Sequence, residues 1–114
     1  MPAIPESARH FLRRHIRSAA ELEALLLLAE SDEQWWTCDL VSEQLRGSTS
    51  VVRADLERLA KDGLLITKSD ATQTVFRFSP VDATAREVVP LLAQLLRESR
   101  PRLIEFIYSR TMRT

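Results

Sequence analysis

The residues from Gly47 to Leu65, GSTSVVRADLERLAKDGLL, constrain the fold more than any other part of the chain. Gly47 breaks a preceding helix. Ser48 stands where a side-chain oxygen caps the next one, and Gly63 stands where a left-handed residue ends it. The segment between them predicts a helix over 49–62. Ahead of it, Thr37 caps a predicted helix over 38–45. Two short helices joined by a tight glycine turn make a helix-turn-helix. At about 100° per residue, Val52, Leu56 and Leu59 share one side of the second helix and must face inward. The opposite side then turns Ser50, Arg53, Ala54, Glu57, Arg58 and Lys61 to solvent.

The flanks extend this unit. Ser7 is a candidate cap for a helix through Ile16, with Phe11, Leu12 and Ile16 as its apolar stripe. Ser18-Ala19-Ala20-Glu21 has the spacing of a capping box. The helix it opens, over 19–30, is nearly apolar all round its second half, which marks a central buried helix. ESDEQ is a solvated loop. The adjacent Trp35 and Trp36 of WWT are in extended geometry, so they point to opposite faces. LLITK and TVFRF, separated by the polar SDATQ, predict a β-hairpin whose turn has no glycine. Beyond it, Val88, Leu92, Leu95, Ser99, Leu103, Phe106 and Arg110 follow steps of three and four. That stripe predicts a long helix, kinked or broken at Pro90 and Pro101, and Pro101 can equally start a separate final helix.

A chain of 114 residues, 45% hydrophobic and 28% charged, is long enough for one domain with a core of its own. No apolar run is long enough to span a bilayer and no secretory signal is seen, so no membrane association is expected. One cysteine, Cys38, fits a reducing cytoplasm. The sixteen basic and sixteen acidic residues cancel only on average. Residues 1–20 carry +3, residues 21–40 carry −6 and residues 67–114 carry +3, so the local field matters more than the total.

ELEALLLLAE, WWTCDLVSEQL, GSTSVVRADLERLAKDGLL and ITKSDATQTVFRFSP, in that order, resemble the small bacterial winged helix-turn-helix transcriptional regulators of the MarR-like kind. The resemblance covers residues 19 to 80. It implies a mainly α fold with a small β-hairpin (α+β): a winged helix-turn-helix domain over 1–80 with its N-terminal helix, and a C-terminal helical segment over 81–114. It also implies double-stranded DNA as a partner and pairing of two subunits through the terminal helices, which would match two reading helices to a palindromic site. The wing departs from the usual pattern. It offers only Lys68 and Arg77, with Asp70 between them and no glycine at the tip.

The outward side of the second helix suits a major groove. Ala54 lets the backbone approach, Arg53 and Arg58 reach guanine edges or phosphates, and Glu57 accepts from cytosine N4. Ser48, Thr49 and the amides at the helix start can hold a phosphate. The competing reading makes Glu57–Lys61 and Glu57–Arg53 surface ion pairs with no ligand. Arg9, Arg13 and Arg17, four apart, either grip flanking phosphates or neutralise Glu30, Asp32 and Glu33. The C-terminal stripe either pairs two subunits or buries itself on the chain's own first helix; pairing is the expectation.

Cys38 sits in the first turn of a helix, where the dipole can lower a thiol pKa, or it is simply packing. His10 and His15 are spaced wrongly for a shared metal face, so no metal or other cofactor is expected. No nucleophile-base pattern or phosphate loop recommends an enzyme. Two functions remain: a dimeric sequence-specific DNA-binding regulator, or a winged-helix module that docks on another regulatory protein.

Overall fold

The computed structural model describes residues 4–111, with side chains through Ser109. The side chain of Arg110, the last member of the C-terminal stripe, and residues 112–114 of the segment over 81–114 lie outside that description. The element order is α1 (Glu6–His15), α2 (Ala19–Glu30), β1 (Trp36–Thr37), α3 (Cys38–Leu45), α4 (Thr49–Lys61), β2 (Leu65–Ser69), β3 (Thr74–Phe78), α5 (Ala83–Glu98) and α6 (Arg100–Thr111). The fold is mostly helical with one small antiparallel sheet of order β1-β3-β2, and α3, α4 and the β2–β3 hairpin form a winged helix-turn-helix.

Local chemistry explains most boundaries. Ser18 Oγ accepts from the Glu21 amide at 3.1 Å and starts α2, and Thr37 Oγ1 accepts from the Leu40 amide at 3.0 Å and starts α3. The other half of the capping box differs from expectation. Glu21 Oε1 accepts from the Arg17 amide, one residue before the cap, at 2.7 Å. Pro5, not Ser7, occupies the N-cap position of α1, with its ring-fixed φ of −59° and no side-chain hydrogen bond. At the helix-turn-helix corner the left-handed residue is Arg46 (φ 55°, ψ 41°), and the Gly47 amide donates to the Ser42 carbonyl at 3.0 Å. The corner is therefore a left-handed cap on a non-glycine residue, and Gly47 is only its successor. Gly63 does take the expected left-handed form, at φ 84°.

A wing without glycine is possible because Asp70 builds its turn. One carboxylate oxygen accepts from the Thr72 amide (2.8 Å), the Thr72 hydroxyl (2.8 Å) and the Gln73 amide (3.0 Å), which is an aspartate side chain doing the work of a backbone turn. These bonds stabilise the anion and lower the Asp70 pKa. In the sheet, Trp36 pairs with Phe76 and Leu65 with Phe78, all four buried, so this face roofs the core. The other face carries Ile66, Lys68, Val75 and Arg77.

Pro90 lies within α5, which continues past it. The true break falls at Ser99, whose φ and ψ of −141° and 45° leave the helical region, and Pro101 sits in the first turn of α6, where its missing N–H costs nothing. The C-terminal stripe turns inward. Val88, Leu92, Leu95, Leu103 and Ile107 are all buried in one cluster with Phe11, Leu12 and Ile16 of the first helical stretch, and only Phe106 keeps partial exposure. Of the two readings of this stripe, burial against the chain's own first helix, and not the expected pairing, accounts for these residues: the chain uses them to close its own core. Two polar ties fix α6 onto α2. The Ala19 amide donates to Tyr108 Oη at 3.1 Å, and Arg100 pairs with Glu23 at 2.7 Å.

Candidate nucleic-acid interface

The core anchors α4 through Val52, Leu56 and Leu59. Its opposite side presents Ser50, Arg53, Ala54, Glu57 and Lys61, all exposed, next to exposed Ser48 and Thr49 at the helix start. Val51, beside them, is 52% exposed and adds a small apolar contact surface. Ser48 is the N-cap residue, but its hydroxyl lies 3.0 Å from Ser50 Oγ and caps no amide. The first-turn amides of α4 therefore carry no side-chain acceptor.

Arg58 is the correction at this site. Expected on the free side, it turns inward and bridges two buried carboxylates. Its Nε donates to Glu21 Oε2 at 3.2 Å and its Nη2 to Asp55 Oδ1 at 2.5 Å. Only 35% of its side chain is exposed, against 1% of Glu21 and 5% of Asp55. Burial pushes the carboxyls of both Glu21 and Asp55 above their ordinary values, and the Arg58 guanidinium offsets only part of that rise. A helical wheel places Arg58 at the edge of the outward side. It cannot show that α2 passes there with Glu21 at its N-terminal end, 37 residues away in sequence.

Arg53 and Lys61 are different. Neither makes an ion pair among the described residues, and neither Glu57–Arg53 nor Glu57–Lys61 is closed. Arg53 lines a polar cleft of about 180 Å³ with Thr37, Cys38, Asp39 and the turn residues Thr72, Gln73 and Thr74. It lies where α4, the start of α3 and the wing converge. On the wing, neither Lys68 nor Arg77 makes an ion pair among the described residues, although the Lys68 charge helps to lower the Asp70 pKa. Both stack on Trp35, at 5.2 and 4.8 Å from the ring centroid. Trp36 is the core tryptophan and Trp35 the half-buried outer one, as their adjacency in an extended segment requires.

Several flanking signals resolve locally. Arg9 and Arg13 pair with Glu6 on their own helix, at 2.5 and 3.7 Å, not with Glu30, Asp32 or Glu33. His15 Nδ1 lies 3.1 Å from Asp62 and ties α1 to the end of α4. Among the described residues no cluster of three His, Cys, Asp or Glu side chains is placed to hold a metal, and no helix is long and apolar enough to cross a membrane. Cys38 is buried. Desolvation raises its thiol pKa, with Arg53 pulling the other way, which favours packing over a dipole-lowered thiol.

No protein-family profile matches the chain, and no curated protein matches it in sequence. Solved structures do. Reduced HlyU from Vibrio cholerae is 22% identical over 82% of this chain and 90% of its own, with a TM-score of 0.56. A second structure of HlyU from that organism is 21% identical over 85% of this chain and 98% of its own, with a TM-score of 0.56. A homodimeric winged helix-turn-helix DNA-binding domain from Mycobacterium bovis, a possible ArsR-family transcriptional regulator, is 14% identical over 87% of this chain and 93% of its own, with a TM-score of 0.58. At these identities the likeness is one of fold: the chain has the winged helix-turn-helix architecture over nearly the full length of its neighbours.

Proposed function

We propose that this chain is a DNA-binding transcriptional regulator that acts as a homodimer, reading a groove with α4 and touching the backbone with the wing. The observation that carries the reading is the outward side of α4. Arg53 and Lys61 are exposed there without ion pairs, beside Ser48, Thr49, Ser50 and Ala54 and above amides that no side chain caps. Arg53 and Lys61 supply base-edge or phosphate contacts, Glu57 an acceptor for cytosine, Val51 an apolar contact for a thymine methyl, and the first-turn amides a phosphate site. Lys68 and Arg77 add phosphate contacts from the wing. Arg58 drops out as a direct contact, because its guanidinium is held by Glu21 and Asp55.

Residues 1–80 form the reading unit and residues 81–114 the helical segment that pairs subunits. The homodimeric state of the Mycobacterium bovis neighbour supports the pairing. Since the main stripe is spent on the core, the apolar residues of this segment left for a contact are the partly buried Leu91, Leu96 and Phe106 and the exposed Val81 and Tyr108. The MarR-like pattern of the sequence and the Mycobacterium bovis neighbour, a possible ArsR-family regulator, both support the broader class of bacterial winged-helix regulators, and such a regulator would work in the cytoplasm. No catalytic role is assigned.

The test is a mobility-shift titration on genomic fragments at several salt concentrations. The four cations that α4 and the wing of each subunit present give a dimer about six to eight phosphate contacts, so affinity should fall on the order of 10³- to 10⁴-fold between roughly 50 and 200 mM salt. Arg53→Ala should weaken specific binding by about 1–3 kcal/mol. Binding that is absent, or indifferent to salt, refutes the proposal. Recovery of one stoichiometric protein partner in its place would establish the docking-module reading.

A further inference from the structure

The outer face of the wing sheet holds an arrangement that the DNA reading does not require. Trp36 pairs with Phe76, so the residue before it, Trp35, lies beside Arg77 on β3, on the face turned away from the core. Lys68 is opposite Val75 on β2, beyond β3, yet its ammonium still comes to 5.2 Å from the Trp35 ring. The two side chains therefore meet over the middle strand. Arg77 reaches the same ring at 4.8 Å. Two cations thus converge on one half-buried indole, and among the described residues no carboxylate forms an ion pair with either.

Two like charges brought together repel unless something compensates. The face of an indole attracts each cation through its quadrupole, and it restricts side chains that would otherwise spread into solvent. It cannot neutralise their charge. The local field therefore still calls for an anion with several acceptor oxygens, and a backbone phosphate fits a guanidinium and an ammonium held side by side. The wing tip offers no such site, because Asp70 places a carboxylate there and repels an anion.

We infer that Trp35 is a positioning residue for the wing, holding Lys68 and Arg77 together on the outer sheet face so that they grip one backbone phosphate. The inference rests on the DNA reading above. It places the wing's contact on the flat of the sheet, not at the tip.

A double-mutant cycle tests it, using a fluorescein-labelled mixed-sequence duplex of about 30 base pairs and fluorescence anisotropy over a range of salt. In the wild-type background Trp35→Leu should weaken binding about five- to tenfold, and Trp35→Phe should restore most of the loss. In a Lys68→Ala/Arg77→Ala background, Trp35→Leu should change affinity less than about twofold. That background should itself lower the salt slope by about one to two. Thermal melts of each variant show whether it is folded, and Trp35→Phe keeps the test open if Trp35→Leu is not. Equal losses from Trp35→Leu in both backgrounds would overturn the positioning role while leaving the DNA reading intact. Wild-type protein that shows no salt-dependent binding to the duplex would overturn both.

Discussion

Replacing Arg58 with methionine tests the central correction at the site, because it separates a residue that supports the fold from one that reads DNA. Methionine keeps the length of the aliphatic stem and removes the charge. It leaves Glu21 and Asp55, with side chains 1% and 5% exposed, without their shared counter-ion. At an effective dielectric of about 20, each attraction across roughly 4 Å is worth about 4 kcal/mol, and repulsion between the two carboxylates takes part of that back. Breaking a buried pair from one side costs about 3–5 kcal/mol. Arg58 is 35% exposed, so water reaches the pair and the loss belongs at the lower end, about 3 kcal/mol. With a urea m-value of about 1.5 kcal/mol per M, the midpoint should drop by about 2 M.

The loss must also depend on pH in one direction. Both carboxyls already lie above their ordinary values of 4.5 and 3.8 in the folded protein, because they are buried. A carboxyl with a raised folded pKa binds its proton more tightly folded than unfolded. Its contribution to stability is therefore full below the unfolded value and declines as pH rises through the folded one. Removing Arg58 raises both pKa values further and steepens that decline. The gap between wild type and Arg58→Met should be widest at neutral pH and close as the solution is acidified towards the ordinary carboxylate range. Urea melts of both proteins at neutral and mildly acidic pH measure it. A gap that is the same at both pH values, or below about 1 kcal/mol at neutral pH, refutes the electrostatic account.

Gly63→Ala should cost about 1–2 kcal/mol in chemical denaturation, because φ is 84° there although the nearest contact of a new Cβ, Val81 Cγ2 at 3.5 Å, is unstrained. Gly47→Ala, with a comparable 3.5 Å contact to Val52 and no left-handed φ, should fall between neutral and about 1 kcal/mol stabilising, and a loss would show that the corner needs glycine after all. Asp70→Ala should speed amide exchange at Thr72 and Gln73. In the wild type the same protection should persist above the ordinary aspartate value of 3.8 and disappear only as pH falls through the lowered Asp70 value. Cys38 should react with a thiol reagent at neutral pH only as the protein unfolds, and rapid stoichiometric labelling of native protein would contradict a buried thiol with a raised pKa.

Where the determining chemistry lay within a few residues, the sequence was readable. Ser18 and Thr37 cap the helices they were expected to cap, Gly63 takes the left-handed conformation, and the α2 and α3 boundaries fall at 19–30 and 38–45 as expected. Val52, Leu56 and Leu59 do fix which way α4 faces. What could not be read was set by neighbours distant in sequence. Asp55 is buried at the edge of the side that Val52, Leu56 and Leu59 turn inward, with Arg58 beside it, and Arg58 looks like a surface base because nothing near it in sequence reveals Glu21. Likewise the stripe from Val88 to Ile107 has the same pattern whether its partner is another subunit or α1. At the corner, Gly47 was the obvious breaker. The left-handed residue is nevertheless Arg46, because the geometry of the cap selects a position and only afterwards tolerates its side chain.

The balance of sixteen basic against sixteen acidic residues does not decide against DNA, because where the charges stand matters more than their total. Arg9, Arg13, Arg58 and Arg100 are committed to carboxylates, and two of those acids, Glu21 and Asp55, are buried and project little field outward. Arg53, Lys61, Lys68 and Arg77 have no carboxylate in ion-pair range among the described residues, and all four lie on α4 or the wing. Four cations on α4 and the wing support steering and moderate affinity but little tight binding by one subunit. That is why the reading here requires two. If the pairing surface around Leu91, Leu96 and Phe106 were broken by charged substitution, the salt slope should halve along with the loss of affinity, since each subunit would then bring only its own four cations to the duplex.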